Sequence, residues 1–359
     1  MADMLSTRLT EKLGCKYPIV QTAMGWVADP NLVAGSCNAG GFGFLAGATI
    51  PPQEMERDIL RVKELTGAPF GVNFHMYQPN AEAIVDMVIR HGVRAVSYSR
   101  SPGPQMIRKL KDAGVICMPT VGLPKHALKA VELGADVVTV QGGEGGGHTG
   151  AIPTTLLIPQ VVDAVGAKVP VVAAGGFKDG RGLVAALAWG ADGIAMGTRF
   201  LMTAESPVPR ATLQRYLDCS NPGEIIVSRA MDGLPQRMIM NELLAELERA
   251  GTLRKLWIAL RNGLAFRQHT GASLGSLLRS AIAMSRDDEM TASQAIMSAN
   301  APMIIQKAMV AGEPALGVLP SGQVAGVIND LPSCAELINA IVTEAEQRLT
   351  ALAQRTGTH

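Results

Sequence analysis

The residue best suited to moving a proton near neutral pH is His148. It sits in Val140–Gly150, VQGGEGGGHTG, at the end of a short apolar run. Glycines on both sides let such a loop bring an imidazole against a flat ligand with no Cβ in the way. No Cys or second His lies nearby in sequence, so general acid–base chemistry fits better than metal ligation. A lone histidine is more often structural, but the strand-end position and the glycine-rich loop favour a functional one.

A second chemistry is phosphate binding. AAGGFKDGRG (173–182) and AMGTRF (195–200) each follow an apolar run. Gly175, Gly176 and Gly197 let backbone N–H groups approach a phosphate, and Thr198 adds a hydroxyl. The alternative is that these glycines only make tight turns. Two such loops on consecutive strands favour phosphate. Around them, QTAMG offers Thr22–Gly25 to the face of a ring, and FGVNFHMY brings Asn73 and His75 to a strand end. Asn73 suits a ring edge. His75 is as well explained by structure as by contact with phosphate, ring or substrate.

Two further patterns are discounted. Gly145–Gly150 fits G-x-G-x-x-G, but Pro153 follows and no helix opens there. Gly271–Gly275 fits G-x-S-x-G around Ser273, but FRQHT before it is not a buried strand.

The elements that must position these residues form a repeat. Gly92, Gly114, Gly134 and Gly190 each end a polar-faced helical stretch and precede an apolar strand. Eight strands are expected: Pro18–Gln21, Phe42–Ala46, Phe70–His75, Ala95–Ser99, Val115–Pro119, Val137–Gln141, Pro170–Ala174 and Gly193–Gly197. They are continuous apolar runs, as in a parallel sheet buried on both faces. Helical stretches such as Pro52–Thr66, Ala81–His91 and Pro124–Leu133 separate them. The expected fold is α/β, a TIM (β/α)8 barrel, with an open doubly wound sheet as the alternative. Residues 1–207 form the barrel. Residues 208–300, with the periodic NELLAELERA and LRKLWIALRN, form a smaller, mostly helical inserted domain. Residues 301–359 return to pack on the barrel.

Composition narrows the setting. Hydrophobic residues make up 47% of 359 and charged residues 18%, enough for a large core. Lys plus Arg is 32 and Asp plus Glu is 31, so net charge gives no reason to expect nucleic acid or an anionic membrane. Five scattered cysteines read as reduced thiols, and MADMLSTRLTEKLG carries charges where a signal peptide needs an apolar run. A cytoplasmic protein without a membrane span is expected.

These residues resemble the nitronate monooxygenase family, formerly 2-nitropropane dioxygenases. The matching pieces are PIVQTAMG, NAGGFGFLA, PFGVNF, GGEGGGHTG, AAGGFKDGRGLVAALAWGADGIAMGTRF and SGQVAGVIND. The resemblance implies FMN, a barrel, and His148 transferring a proton beside the flavin. It implies that Ala23, Met24 and Gly25 lie along the isoalloxazine. It places Gly146 and Gly147 near the ring or ribityl chain, with Gln141 just before that loop. Gly175, Gly176, Gly197 and Thr198 would hold the phosphate, and Gln323 would line the pocket. One departure stands out: where several relatives carry Lys at the end of strand five, CMPTVG puts Thr120. A neutral hydroxyl stabilises reduced anionic flavin less than a cation does.

TRFLMTAES, DGLPQRMIMNELLAELE and SGQVAGVINDLPSCAELI resemble a narrower branch, flavin enzymes acting on CoA thioesters in bacterial steroid C/D-ring degradation. Arg229, Arg237, Arg254, Lys255 and Arg261 are then either partners of CoA phosphates or ordinary solvated helix faces. The expected reaction is removal of a proton and a hydride at carbons α and β to a thioester, or oxidation of a nitronate. NAD(P)H or O2 is the expected redox partner, and a homodimer is compatible. The competing readings are an NADH-dependent enoyl-thioester or quinone reductase, a non-flavin phosphate-binding barrel lyase or isomerase, and a catalytically silent barrel. Against the non-flavin enzyme, the strand ends show no Schiff-base lysine and no carboxylate cluster for a metal.

Overall fold

The apolar runs become strands whose two faces are both covered. A computed structural model describes residues 4–47, 50–75, 80–99, 102–250 and 292–355. The strands of the first part are β1 (Ile19–Gln21), β2 (Phe42–Ala46), β3 (Gly71–His75), β4 (Ala95–Ser99), β5 (Ile116–Val121), β6 (Val138–Gln141), β7 (Gly147–His148), β8 (Val171–Ala174) and β9 (Gly193–Met196). All but β7 close into a parallel barrel in chain order. β1 shuts it against β9, with Ile19, Val20 and Gln21 opposite Ile194, Ala195 and Met196. This is the expected TIM barrel, with strands differing from expectation only at their ends. Gly92, Gly114, Gly134 and Gly190 all take positive φ.

Strand parity divides the core. Val20, Phe42, Phe44, Ala95, Ile116, Met118, Val172, Ala174 and Ala195 form one cluster, filling the barrel interior. Their neighbours Leu45, Val72, Phe74, Val96, Tyr98 and Cys117 belong to a second cluster, under the surrounding helices. Phe42 and Phe44 meet edge to face, with centroids 5.2 Å apart. A Cβ on Gly71 would lie 2.3 Å from the Phe44 ring, so the ring takes the space a side chain would need. Because Val72 and Phe74 face outward, Asn73 and His75 take the inward parity of β3. The same counting puts Thr120 of β5 and Gln141 of β6 on the inner face.

Helix Arg8–Leu13 supplies Leu9 and Leu13 to the interior cluster. Its Arg8 grips Asp192, Nε to Oδ1 at 2.9 Å and Nη2 to Oδ2 at 2.8 Å. Asp192 also accepts from the Val171 amide at 3.0 Å, so one carboxylate joins this helix to β8 and the turn before β9. Helix Cys334–Arg355 packs on helix Gly180–Ala188. A Cβ on Gly180 would fall 2.6 Å from Ala345 N and Ile341 O, which is the close approach that Gly180 permits.

The chain divides into two compact units. One takes the described residues of Met1–Gly145, Thr149–Pro207 and Ile328–His359. The other takes those of Gly146–His148 and Val208–Val327. The expected division ran 1–207, 208–300 and 301–359. In the structure the return segment splits at Ile328, and the His148 tripeptide leaves the barrel unit. The second unit also carries an antiparallel sheet among its described residues: β10 (Ile225–Ser228), β11 (Gln236–Ile239) and β12 (Leu319–Pro320), with β7 added to β11. The periodic NELLAELERA is there as helix Glu242–Arg249, capped by Asn241, whose Oδ1 accepts from Leu244 N at 2.9 Å. Leu243, Leu244 and Leu247 pack with Met231, Met238, Ile304 and Val318. LRKLWIALRN, Ser273, Arg254, Lys255 and Arg261 lie outside the described residues.

Asp192→Ala removes the acceptor of three hydrogen bonds and leaves a buried amide unpaired. It is expected to cost about 2–4 kcal/mol of stability, read as a fall in denaturant midpoint with an unchanged slope.

Candidate active site

Within the barrel unit, β6, β8, β9 and β1 are successive neighbours, so the loops that end them lie side by side. After β1, Val27 N and Ala28 N both donate to Met24 O, at 3.0 and 2.9 Å, closing a tight turn. Trp26 inside that turn has φ 61°, the one non-glycine at positive φ among the described residues. A left-handed non-glycine residue costs roughly 1–2 kcal/mol, so the turn holds strain beside the expected ring-binding residues Ala23, Met24 and Gly25. The sequence reading passed over Trp26, because no residue type advertises a strained φ. Thr22 N donates to Met196 O at 3.1 Å, tying this loop to the end of β9. A Cβ on Gly197 would meet Thr22 Oγ1 at 3.1 Å and Met24 Sδ at 3.4 Å.

Gly175 and Gly176 take φ of 105° and 84°, turning the β8 loop through conformations closed to most residues. Thr198, buried, opens the short helix Thr198–Leu201 after Gly197. Glu144 lies close by: a Cβ on Gly176 would sit 3.5 Å from Glu144 Cβ. Its carboxylate is engaged elsewhere, accepting from Thr154 N at 2.9 Å and Thr154 Oγ1 at 2.6 Å. The Thr154 hydroxyl is also 3.1 Å from Gly175 O, so Glu144 and Thr154 join the β6 and β8 loops. Glycine backbone at positive φ and a buried hydroxyl are the groups that suit a terminal phosphate.

The inner-face residues are placed as parity requires. Asn73 Nδ2 donates to Ser97 O at 3.0 Å and lies 3.1 Å from Ser97 Oγ. His75 is exposed, with Nδ1 3.3 Å from Ser99 Oγ. Thr120 and Gln141 are half-buried at the ends of β5 and β6. Thiol chemistry has no place here: burial pushes Cys37 up to about 11 and Cys15, Cys117 and Cys334 up to about 12, so they stay protonated at neutral pH. Among the described residues no group of His, Cys, Asp or Glu is arranged to hold a metal ion, and no helix is long and apolar enough to cross a membrane.

The second unit holds Gly146, Gly147, His148 and Gln323. β7 is antiparallel to β11, with His148 opposite Gln236 and Gly147 opposite Arg237. Gln323 opens the short 3-10 helix Gln323–Val327 just past β12. His148 Nε2 lies 2.8 Å from Oδ2 of Asp232, whose side chain is 6% exposed against 60% for the imidazole. Gln236 Nε2 donates to the same oxygen, and Leu234 N donates to Oδ1 at 3.0 Å. The sequence reading missed Asp232. Its signal was Asp232–Gly233 between two apolar runs, a hairpin-turn pattern, and Gly233 takes φ 86°. Of the cations weighed for CoA phosphates, Arg229 bonds Gly233 O at 3.4 Å in that turn, and Arg237 bonds Ile225 O at 3.3 Å from β11.

Gly146 is where β7 enters this sheet. A Cβ there would fall 2.5 Å from Gly322 N and 2.6 Å from Ser321 C, backbone atoms that cannot swing aside. Gly146→Ala is expected to cost about 1–3 kcal/mol and to speed amide exchange at Arg237, whose backbone faces the β7 and β12 edge of β11, as β7 separates. Wild-type protection at that amide would show the contact to be slack.

The profile of the nitronate monooxygenase family matches residues 6–87 and 80–344. The chain is 49% identical over 348 residues to a protein of Rhodococcus jostii (strain RHA1), covering 97% of this chain and 98% of that one. That protein is named (3aS,4S,5R,7aS)-5-hydroxy-7a-methyl-1-oxo-octahydro-1H-indene-4-carboxyl-CoA dehydrogenase. A probable nitronate monooxygenase of Staphylococcus saprophyticus is 33% identical over 290 residues, 68% of this chain and 81% of that one. The structure of FabK from Thermotoga maritima superimposes with a TM-score of 0.78 at 27% identity, covering 98% of this chain and all of that one. The chain therefore belongs to the nitronate monooxygenase family of flavin-dependent oxidoreductases.

Proposed function

We propose that this protein is an FMN-dependent dehydrogenase of a cyclic CoA thioester, a bicyclic ring acid left from steroid breakdown. The observation that carries the cofactor is the pair of glycine loops ending β8 and β9, with Gly175 and Gly176 left-handed and Thr198 buried beside Gly197. They suit one terminal phosphate, which FMN has. Gly175, Gly176, Gly197 and Thr198 hold it. Ala23, Met24 and Gly25 would hold the ring, and Asn73, His75, Thr120 and Gln141, on the inner faces of their strands, would supply further polar contacts to it. Gly146, Gly147 and Gln323 are the further cofactor contacts that the family resemblance implies. The substrate class rests on the 49% identity to the CoA-thioester dehydrogenase over nearly the full chain. Thr120, where a Lys would favour anionic reduced flavin, makes nitronate or quinone turnover the weaker reading.

His148 takes the proton α to the thioester carbonyl, where the carbonyl stabilises the developing negative charge. FMN supplies the two-electron acceptor for the hydride that leaves the β carbon. The Cα–H and Cβ–H bonds break, a Cα=Cβ bond forms, and the substrate loses two electrons. The five free cysteines suit a reducing compartment, the cytoplasm.

Two measurements test this. Purified protein should release one FMN per chain on heating, and Gly176→Val should lose most of it while keeping its circular dichroism. FAD in the supernatant, or full occupancy in the variant, would put the phosphate site elsewhere. Anaerobic mixing with the CoA thioester of a hydrindane carboxylic acid should bleach the flavin, and His148→Asn should slow that phase by about 10²–10⁴-fold. Bleaching by NADH or a nitronate, but by no thioester, would overturn the substrate class. An unchanged rate in His148→Asn would overturn the base.

A further inference from the structure

We infer that Asp232 is the positioning residue for His148, fixing its tautomer and ring orientation so that Nδ1 carries the lone pair that takes the substrate proton. The inference rests on His148 being the base. An ionised carboxylate only accepts hydrogen bonds, so an imidazole nitrogen 2.8 Å from one must carry its proton there. Nε2 is therefore the N–H, and the basic lone pair lies on Nδ1.

The carboxylate is itself held. Oδ2 accepts from Gln236 Nε2 as well as from His148, and Oδ1 accepts from Leu234 N in the turn that Asp232 starts. Gln236 is 3% exposed and is the cross-strand partner of His148, so the β7–β11 register sets both donors at once. Other charged groups on these elements are Arg229 in the turn and Arg237 on β11. An orienting carboxylate matters most for a base that begins neutral and becomes a cation as it takes the proton. That describes proton removal from a carbon acid. A substrate added already ionised makes no such demand.

The experiment uses the full chain loaded with flavin. Asp232→Asn is close in shape but can donate to Nε2, which favours the opposite tautomer. It should keep its FMN and melting temperature, bleach about 10²–10⁴-fold more slowly with the thioester, and change KM little. A preformed nitronate anion, if it bleaches the wild type, should lose much less. Asp232→Glu should recover part of the rate. Independently of turnover, ¹⁵N shifts of His148 should report an Nε2-protonated ring in the wild type and a shift towards Nδ1 protonation in Asp232→Asn. The double variant with His148→Asn should be no slower than His148→Asn alone.

A wild-type rate in Asp232→Asn alongside a slow His148→Asn would sink this inference and leave His148 as the base. A wild-type rate in His148→Asn would remove the base itself. An Nδ1-protonated ring in the wild type would overturn the tautomer. Equal losses with thioester and nitronate, together with a lower melting temperature and unaltered ¹⁵N shifts, would make Asp232 structural only.

Discussion

The barrel unit depends on closure: β1 must pair with β9, and it can do so only if all eight strands keep one parity. Parallel strands leave no room for slippage here, since a shift of one residue would exchange the interior of Phe42, Phe44, Ile116 and Met118 for the outward layer of Leu45, Val96 and Cys117. The same parity decides what reaches the strand ends. Asn73, His75, Thr120 and Gln141 point inward because Val72, Phe74, Cys117 and Val138 point outward. The core and the polar residues at the strand ends are therefore one solution. Arg8 and Asp192 secure it at the other end, where a single carboxylate serves a helix and a strand amide.

The loops follow a different logic. The β6 and β8 loops are joined by Glu144 and Thr154, the carboxylate accepting from the Thr154 amide and hydroxyl beside the proposed phosphate cradle. Gly142 belongs to the same arrangement, since a Cβ there would lie 2.1 Å from Thr154 Oγ1. The glycines of VQGGEGGGHTG thus have separate reasons. Gly142 makes room for Thr154, Gly145 for the Gln141 side chain, and Gly146 for Ser321–Gly322. Gly147 and Gly150, by contrast, have open space where a side chain would sit.

His148, the proposed base, is held in place away from a rigid barrel strand. The two residues of β7 are a short element, and alone they would hold no ring in place. Pairing with β11 and the buried Asp232 supply the missing constraint, and Asn241 steadies the helix that follows β11 through bonds to Leu244 N, Pro314 O and Gly317 O. Full satisfaction of these polar groups is what makes their burial tolerable.

By itself the sequence determined the barrel, its eight strands, the glycine turns that end its helices, and the family. These are legible because burial on both faces leaves continuous apolar runs, and because left-handed turns select glycine over every other residue. It also singled out His148 and the β8 and β9 loops, whose glycines mark close approach of backbone. Only the tertiary structure decided that His148 belongs with Gln236 and Asp232, more than eighty residues on. A two-residue strand has no periodicity to read, and the carboxylate that meets it is one of 31 acidic residues. The split of the return segment at Ile328 and the sheet within the inserted domain were hidden for the same reason: both arise from pairing between distant short segments, which local pattern does not encode.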